Sequence, residues 1–213
     1  MDHDFWHERW RQGSIGFHEG KPNTFLARHR RELKPGRVLV PLAGKSHDLV
    51  HLAAQGHEVV GVELSEIAVT SFFADHGLTP ERATVGPYAA YSANGITLWC
   101  GDFFLLAPEH LGGPEAISGL YDRAAVVALP PELRRRYARH VRALMPVGSR
   151  GLVVTFDYAQ ELMDGPPFAV SGAELRALYE GLEVTEIDSA MADAPRLRAV
   201  GANAVERCFT IQF

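Results

Sequence analysis

Three places in this 213-residue chain put polar side chains where an α/β sheet would present them to a ligand. They are the turn Pro41-Leu42-Ala43-Gly44-Lys45-Ser46, the acid Glu63, and Asp102 together with Asp122-Arg123. Each follows a stretch that reads as a strand, and ligands of such sheets bind outside the strands' carboxyl ends, near the point where strand order reverses. Glu63 follows Leu42 by 21 residues, close to the ~20-residue spacing at which an acid meets ribose hydroxyls in nucleotide folds. A lone acid at such a place is ordinarily a solvated strand-end glutamate; spacing and placement together favour a ribose contact. The turn holds one glycine, so the G-x-G-x-x-G pattern that brings backbone against a pyrophosphate is absent, which disfavours NAD. Gly44-Lys45-Ser46 imitates the end of a phosphate-binding loop, but the first glycine of that loop would be Leu39, and ATP hydrolysis is unsupported. A ribose acid without an anion nest suits a cofactor carrying adenosine and no phosphates.

Other chemistries find less support. His47 and His51 stand four apart on a helix, but His47-Asp48-Leu49-Val50-His51 lacks the glutamate of a zinc-protease motif, and no metal is expected. No serine sits in a nucleophile elbow, and neither Cys100 nor Cys208 has a base partner visible in the sequence, so covalent catalysis is not indicated.

The elements that must position these residues alternate. Val38-Leu39-Val40-Pro41-Leu42 is a continuous apolar run, the mark of a strand buried on both faces of a parallel sheet. Ser46 N-caps a helix that Gly56 closes, a strand runs over Glu58–Val62, and Ser65 starts a helix closed by Gly77. Asn94-Gly95 predicts a hairpin between strands at Tyr88–Ser92 and Ile96–Cys100. Strands follow at 117–122 and Gly151–Asp157, with an arginine-rich helix introduced by Pro130-Pro131 between them. Ser171-Gly172-Ala173-Glu174 has capping-box spacing and opens a helix to about Tyr179. Strands at 182–187 and 205–213, joined without a helix, predict an antiparallel edge on a mostly parallel sheet with helices on both faces. Ahead of this core, short helices are expected over 3–11 and about 23–33, separated by Gly13, Gly16, Gly20 and Pro22. The whole chain, 1–213, reads as one domain.

Composition excludes several classes. At 46% hydrophobic and 22% charged residues the chain builds a core without disulfides or metals. Its net charge of −5 offers no field for a phosphate backbone, so no nucleic-acid partner is expected. The basic cluster Arg134-Arg135-Arg136, with Arg139 and Arg142, reads as a solvated face of a helix whose apolar side carries Leu133, Tyr137, Val141 and Leu144. Two unpaired cysteines, a polar N-terminus and no apolar run near ~20 residues predict a soluble cytoplasmic protein without membrane contact.

Beyond these local readings, the chain resembles the bacterial thiopurine S-methyltransferase family along nearly its whole length. The resemblance rests on Phe5-Trp6-His7-Glu8-Arg9-Trp10, Ile15-Gly16-Phe17-His18, Val40-Pro41-Leu42-Ala43-Gly44-Lys45-Ser46, Val59-Val60-Gly61-Val62-Glu63-Leu64-Ser65, Gly101-Asp102-Phe103-Phe104, Tyr121-Asp122-Arg123-Ala124-Ala125 and Gly165-Pro166-Pro167-Phe168. One departure is Ala43, where the family usually carries cysteine.

The resemblance implies a Rossmann-like S-adenosyl-L-methionine-dependent methyltransferase, with Trp10, Leu42, Glu63 and Arg123 on the cofactor and Glu63 on its ribose. Asp102 and Phe103 would flank the adenine, residues 1–34 would form lid helices over a 35–213 core, and the Gly165–Phe168 loop would border the acceptor. The reaction implied moves the methyl to the sulfur of a thiopurine or related small aromatic thiol, leaving S-adenosyl-L-homocysteine. Arg123 is the catalytic candidate, because a nearby guanidinium favours a thiolate. Selenium or tellurium species form a second acceptor class, a non-catalytic cofactor sensor is the rival reading, and a monomer is expected.

Overall fold

The computed structural model describes residues 3–15 and 20–213. Two short helices, α1 (His3–Arg11) and α2 (Thr24–His29), precede the first strand, β1 (Arg37–Pro41). Then follow α3 (His47–Ala54), β2 (Glu58–Glu63), α4 (Glu66–Asp75), β3 (Glu81–Val85), β4 (Tyr88–Ala93), β5 (Ile96–Cys100) and β6 (Gly119–Asp122). The chain closes with α5 (Ala125–Ala128), α6 (Pro131–Leu144), β7 (Arg150–Asp157), α7 (Gly172–Leu178), β8 (Glu183–Met191), α8 (Pro195–Ala199) and β9 (Val205–Gln212).

The strands form one sheet in the order β3-β4-β5-β2-β1-β6-β7-β9-β8. Its middle five, β5 to β7, are parallel, and both edges are antiparallel. The chain builds outward from β1 to β2, then returns to place β6 on the other side, so the order reverses between β1 and β6. Such a reversal opens a crevice at the strands' carboxyl ends.

Burial on both faces explains the apolar runs. Within β1, Val38 and Val40 enter a core with α2, α3 and α4, supplied by Phe25, Leu26, Leu49, Leu52, Phe72 and Phe73. Leu39, between them, enters the opposite core with α5, α6 and α7. The local stops are those the sequence announces. Ser46 Oγ accepts from Asp48 N at 3.1 Å and Ser65 Oγ from Ala68 N at 3.4 Å, while Gly56 and Gly77 turn the chain at φ 88° and 62°.

Several expectations change. The link between β8 and β9 is not helix-free, because α8 stands in it with Pro195 at its start and Leu197 buried. The strand expected at 182–187 continues to Met191 across a register shift. Strand β3, exposed at every residue, has no apolar alternation to announce it. Ser171 Oγ caps Glu174 N at 3.2 Å, but the Glu174 carboxylate does not complete a capping box; it pairs with Arg134 at 2.5 Å. Arg134 is therefore not on a solvated face. It is buried, donates from Nε to Leu129 O at 3.0 Å, and lies over the Phe168 ring. Arg135, Arg139 and Arg142 are exposed as expected.

Candidate active site

The site grows from the turn that ends β1. Leu42, at φ 48°, takes the left-handed conformation that side chains normally avoid, and Gly44 repeats it at φ 54°. Backbone turned this way points Gly44 N–H toward β2, where it donates to Glu63 Oε2 at 2.9 Å. Ser65 N donates to Glu63 Oε1 at 2.8 Å. Burial pushes the Glu63 carboxyl up, and the backbone N–H groups of Ser65, Gly44 and Leu64 oppose that shift. With these bonds, Gly44 to Oε2 and Ser65 to Oε1, the carboxylate keeps further acceptor capacity for a hydroxyl donor.

A cavity of about 530 Å³ opens above this carboxylate, within the size range of small-molecule sites. Leu42 lines it from the turn after β1 and Glu63 from the end of β2, Gly101 and Phe103 from beyond β5, and Arg123 from just after β6. Trp10 of α1 lines it from above, 6% exposed. Thus Trp10, Leu42, Glu63 and Arg123, distant in sequence, share one cavity across the β1/β6 reversal. Pro166 and Pro167 border it beside α8, where Arg196 and Leu197 join the wall. The prolines' loop is held by Tyr158 OH to Pro167 O at 2.6 Å and Phe168 N to Val127 O at 2.7 Å.

Two neighbouring acids do other work. Asp102 is not among the residues lining the cavity; its Oδ1 accepts from Phe104 N at 2.9 Å, capping a 3-10 turn, while Phe103 faces the cavity. Asp122 is fully buried. It accepts from Tyr137 OH at 2.7 Å and from Ala125 N and Val126 N at the start of α5. Burial pushes it up to about 6.

Phe17 and Gly16 lie outside the described residues. The His47 ring packs edge-on against His76, 4.7 Å between centroids, and no cluster of metal-ligating side chains occurs among the described residues. Burial pushes the Cys100 thiol up to about 11 and Cys208 to about 12, so neither offers a thiolate near neutral pH. No helix among the described residues is long and apolar enough to cross a membrane.

The local sequence reading missed α5, α8 and Arg9, all of which contribute to the cavity wall. Pro195 at the first turn of α8 was the available signal. Arg9 carries no local signal, because what matters is where α1 docks.

Comparison with known proteins agrees with this architecture. A sequence profile of the thiopurine S-methyltransferase family matches residues 1–211. A thiopurine S-methyltransferase of Pseudomonas aeruginosa is 54% identical over 85% of this chain and 83% of its own, and one of Pseudomonas entomophila is 45% identical over 99% of each. A solved SAM-dependent methyltransferase of Anabaena variabilis shares the fold at a TM-score of 0.68 and 12% identity, covering 99% of this chain and 94% of that one. The 1,6-didemethyltoxoflavin-N1-methyltransferase of Burkholderia thailandensis, solved with 1,6-didemethyltoxoflavin and S-adenosylhomocysteine, does so at 0.63 and 17%, covering 98% and 85%. With the profile spanning nearly the whole chain and relatives this similar, the protein belongs to the thiopurine S-methyltransferase family.

Proposed function

We propose that this chain moves the methyl group of S-adenosyl-L-methionine to the sulfur of a thiopurine or related small aromatic thiol, releasing S-adenosyl-L-homocysteine. The observation that carries the reading is the meeting of Trp10, Leu42, Glu63 and Arg123 on one cavity at the β1/β6 reversal of a family member's sheet. The residues fit an adenosine cofactor. Glu63 is a buried acceptor held in place by two backbone donors, Trp10 packs against Gly44 at the rim of the same cavity, and the turn has no glycine nest for phosphates.

When bound, the cofactor supplies a methyl already activated by its sulfonium. The chain's own task is then alignment and exclusion of water. Glu63 would accept hydrogen bonds from the ribose hydroxyls, with Leu42, Trp10 and Phe103 supplying the apolar wall that would hold the nucleoside. Arg123 faces the reacting region, where its charge favours an acceptor thiolate, and an aromatic thiol then loses its proton to solvent without a dedicated base. Helix α1 acts as a lid. Helix α2 does not share this role, since Phe25 and Leu26 are core residues and Asn23 N is bonded to Asp48 Oδ1 at 2.7 Å.

The acceptor is a small molecule, and the active unit a monomer in the cytoplasm. Two free thiols fit that reducing compartment. Incubating pure protein with methyl-labelled S-adenosyl-L-methionine and a panel of thiopurines, aliphatic thiols, selenite and tellurite tests the reading. Label should appear first on thiopurine sulfur. Methylation of selenium or tellurium alone would reassign the acceptor, and cofactor binding without any product would make the chain a sensor.

A further inference from the structure

The acceptor side of the cavity holds two cations with no part in the reaction described so far. Arg9 on α1 and Arg196 on α8 both line it. They are close enough that, after burial, the Arg196 charge is what holds the Arg9 guanidinium below its ordinary range. Arg9 is half-buried and Arg196 exposed on the wall of one cavity, and two like charges so placed are eased by an anion that comes between them.

Among the described residues, nothing supplies that anion. The acids on the cavity wall are Glu63 and Asp193. Glu63 lies at the end of β2, on the other side of β1, and is held by Gly44 and Ser65. Asp193 is paired with Arg198 at 3.1 Å. Arg9 Nε is buried without a hydrogen-bond partner, and its guanidinium lies over the Phe5 ring, 4.7 Å from the centroid. Arg196 reaches only Pro166 O, at 3.4 Å. Two guanidinium forks with donors to spare suit a planar oxyanion.

We propose that Arg9 is a specificity-determining residue for the acceptor, binding with Arg196 an anionic oxygen group that the acceptor carries away from its reacting sulfur. The proposal rests on the reading of this cavity as a methyl-transfer site. A ring carboxylate and a phosphate offer the same charge and acceptor oxygens, so both sources enter the test. Because α1 brings Arg9 to the cavity, docking of α1 completes the anion site.

The test compares kcat/KM, at saturating cofactor, for para-mercaptobenzoate against para-mercaptobenzamide and for a thiopurine nucleoside monophosphate against its nucleoside. It uses wild type, Arg9→Gln and Arg9→Lys. Wild type should prefer the anionic member of at least one pair, and that pair identifies the source. Arg9→Gln should reduce the preference about tenfold or more, through KM, as expected for a lost charge-assisted hydrogen bond. Arg9→Lys should retain most of it. Titration with S-adenosyl-L-homocysteine reports that each variant is folded.

An unchanged preference in Arg9→Gln overturns the proposal. So does a fall in S-adenosyl-L-homocysteine affinity with the preference intact, which would assign Arg9 to the cofactor's own carboxylate. If wild type methylates both members without preference, this proposal falls and the methyl-transfer reading stands; if it binds the cofactor and methylates neither, both fall.

Discussion

Gly44 lies directly against the indole of Trp10: a methyl group added at its Cα would stand 3.4 Å from Cζ2 and 3.7 Å from Cη2 of the ring. The turn after β1 and the helix covering the site meet at this point, and Gly44 holds φ 54°. Gly44→Ala should therefore cost about 1–2 kcal/mol of stability from the left-handed backbone. The added methyl would rest in ordinary van der Waals contact with the ring, so any weakening of S-adenosyl-L-homocysteine binding should come from the strained turn, whose Gly44 N–H holds Glu63. Denaturant unfolding and calorimetric titration measure the two effects; a variant equal to wild type in both would remove the strained turn from the account.

If α1 is a lid, cofactor should quiet it. Trp6, Arg9 and Trp10 line the cavity from one nine-residue helix, and Gly13 beyond it turns at φ 65°. Backbone hydrogen exchange over residues 6–15 should slow when S-adenosyl-L-homocysteine is added, with the strands of the sheet little changed. Equal exchange in the two states would contradict a closing cover.

Much of this arrangement is legible locally. Val38–Val40 and Val59–Val62 read as buried strands because they are buried on both faces, and Glu63 is found by its distance from Leu42. What is not legible depends on partners remote in the chain. Arg134 looks solvated beside Arg135 and Arg136 until Glu174 and Phe168 come to it from other elements. The β3 edge, paired only with β4, has no core face to impose alternation. In α8 only Leu197 is buried, too little for a periodic signal. The approach of Arg9 to Arg196 exists only in the folded chain.

Asp122 gives the protein a pH dependence of definite sign. Its carboxyl is pushed up to about 6 by burial, despite the Tyr137 hydroxyl and two backbone N–H groups. A raised carboxyl means the native state holds a proton that the unfolded chain, with a value near 3.9, has released. The residue's contribution is thus most favourable at low pH and declines as pH rises through that interval. The unfolding free energy of wild type, minus that of Asp122→Asn, should fall by on the order of 2–3 kcal/mol between about pH 3 and pH 7. Denaturant unfolding of the pair across this range checks it; a difference that rises with pH would contradict the burial argument.

Arg123 stands just after β6 on the cavity wall. If its charge keeps the acceptor ionised, Arg123→Met should raise the acceptor's apparent pKa in the ternary complex, and the rate should suffer most at low pH. Single-turnover methylation of a thiopurine at saturating cofactor, from about pH 5.5 to 9, spans the expected change. A parallel downward shift of the whole profile, with weaker cofactor binding, would confine Arg123 to the cofactor.

Calorimetric titration of S-adenosyl-L-homocysteine into Glu63→Ala and Glu63→Gln is the most direct test of a Glu63 hold on the cofactor's ribose. Since one oxygen of Glu63 also accepts from Gly44 and the other from Ser65, the glutamine variant keeps one acceptor and the shape of the side chain, while the alanine variant removes both acceptors. Binding should weaken by about 1.5–3 kcal/mol in Glu63→Ala, the worth of a hydrogen bond to a charged group, and by less in Glu63→Gln, with both variants folded by near-ultraviolet circular dichroism. Wild-type affinity in folded Glu63→Ala would contradict a ribose contact.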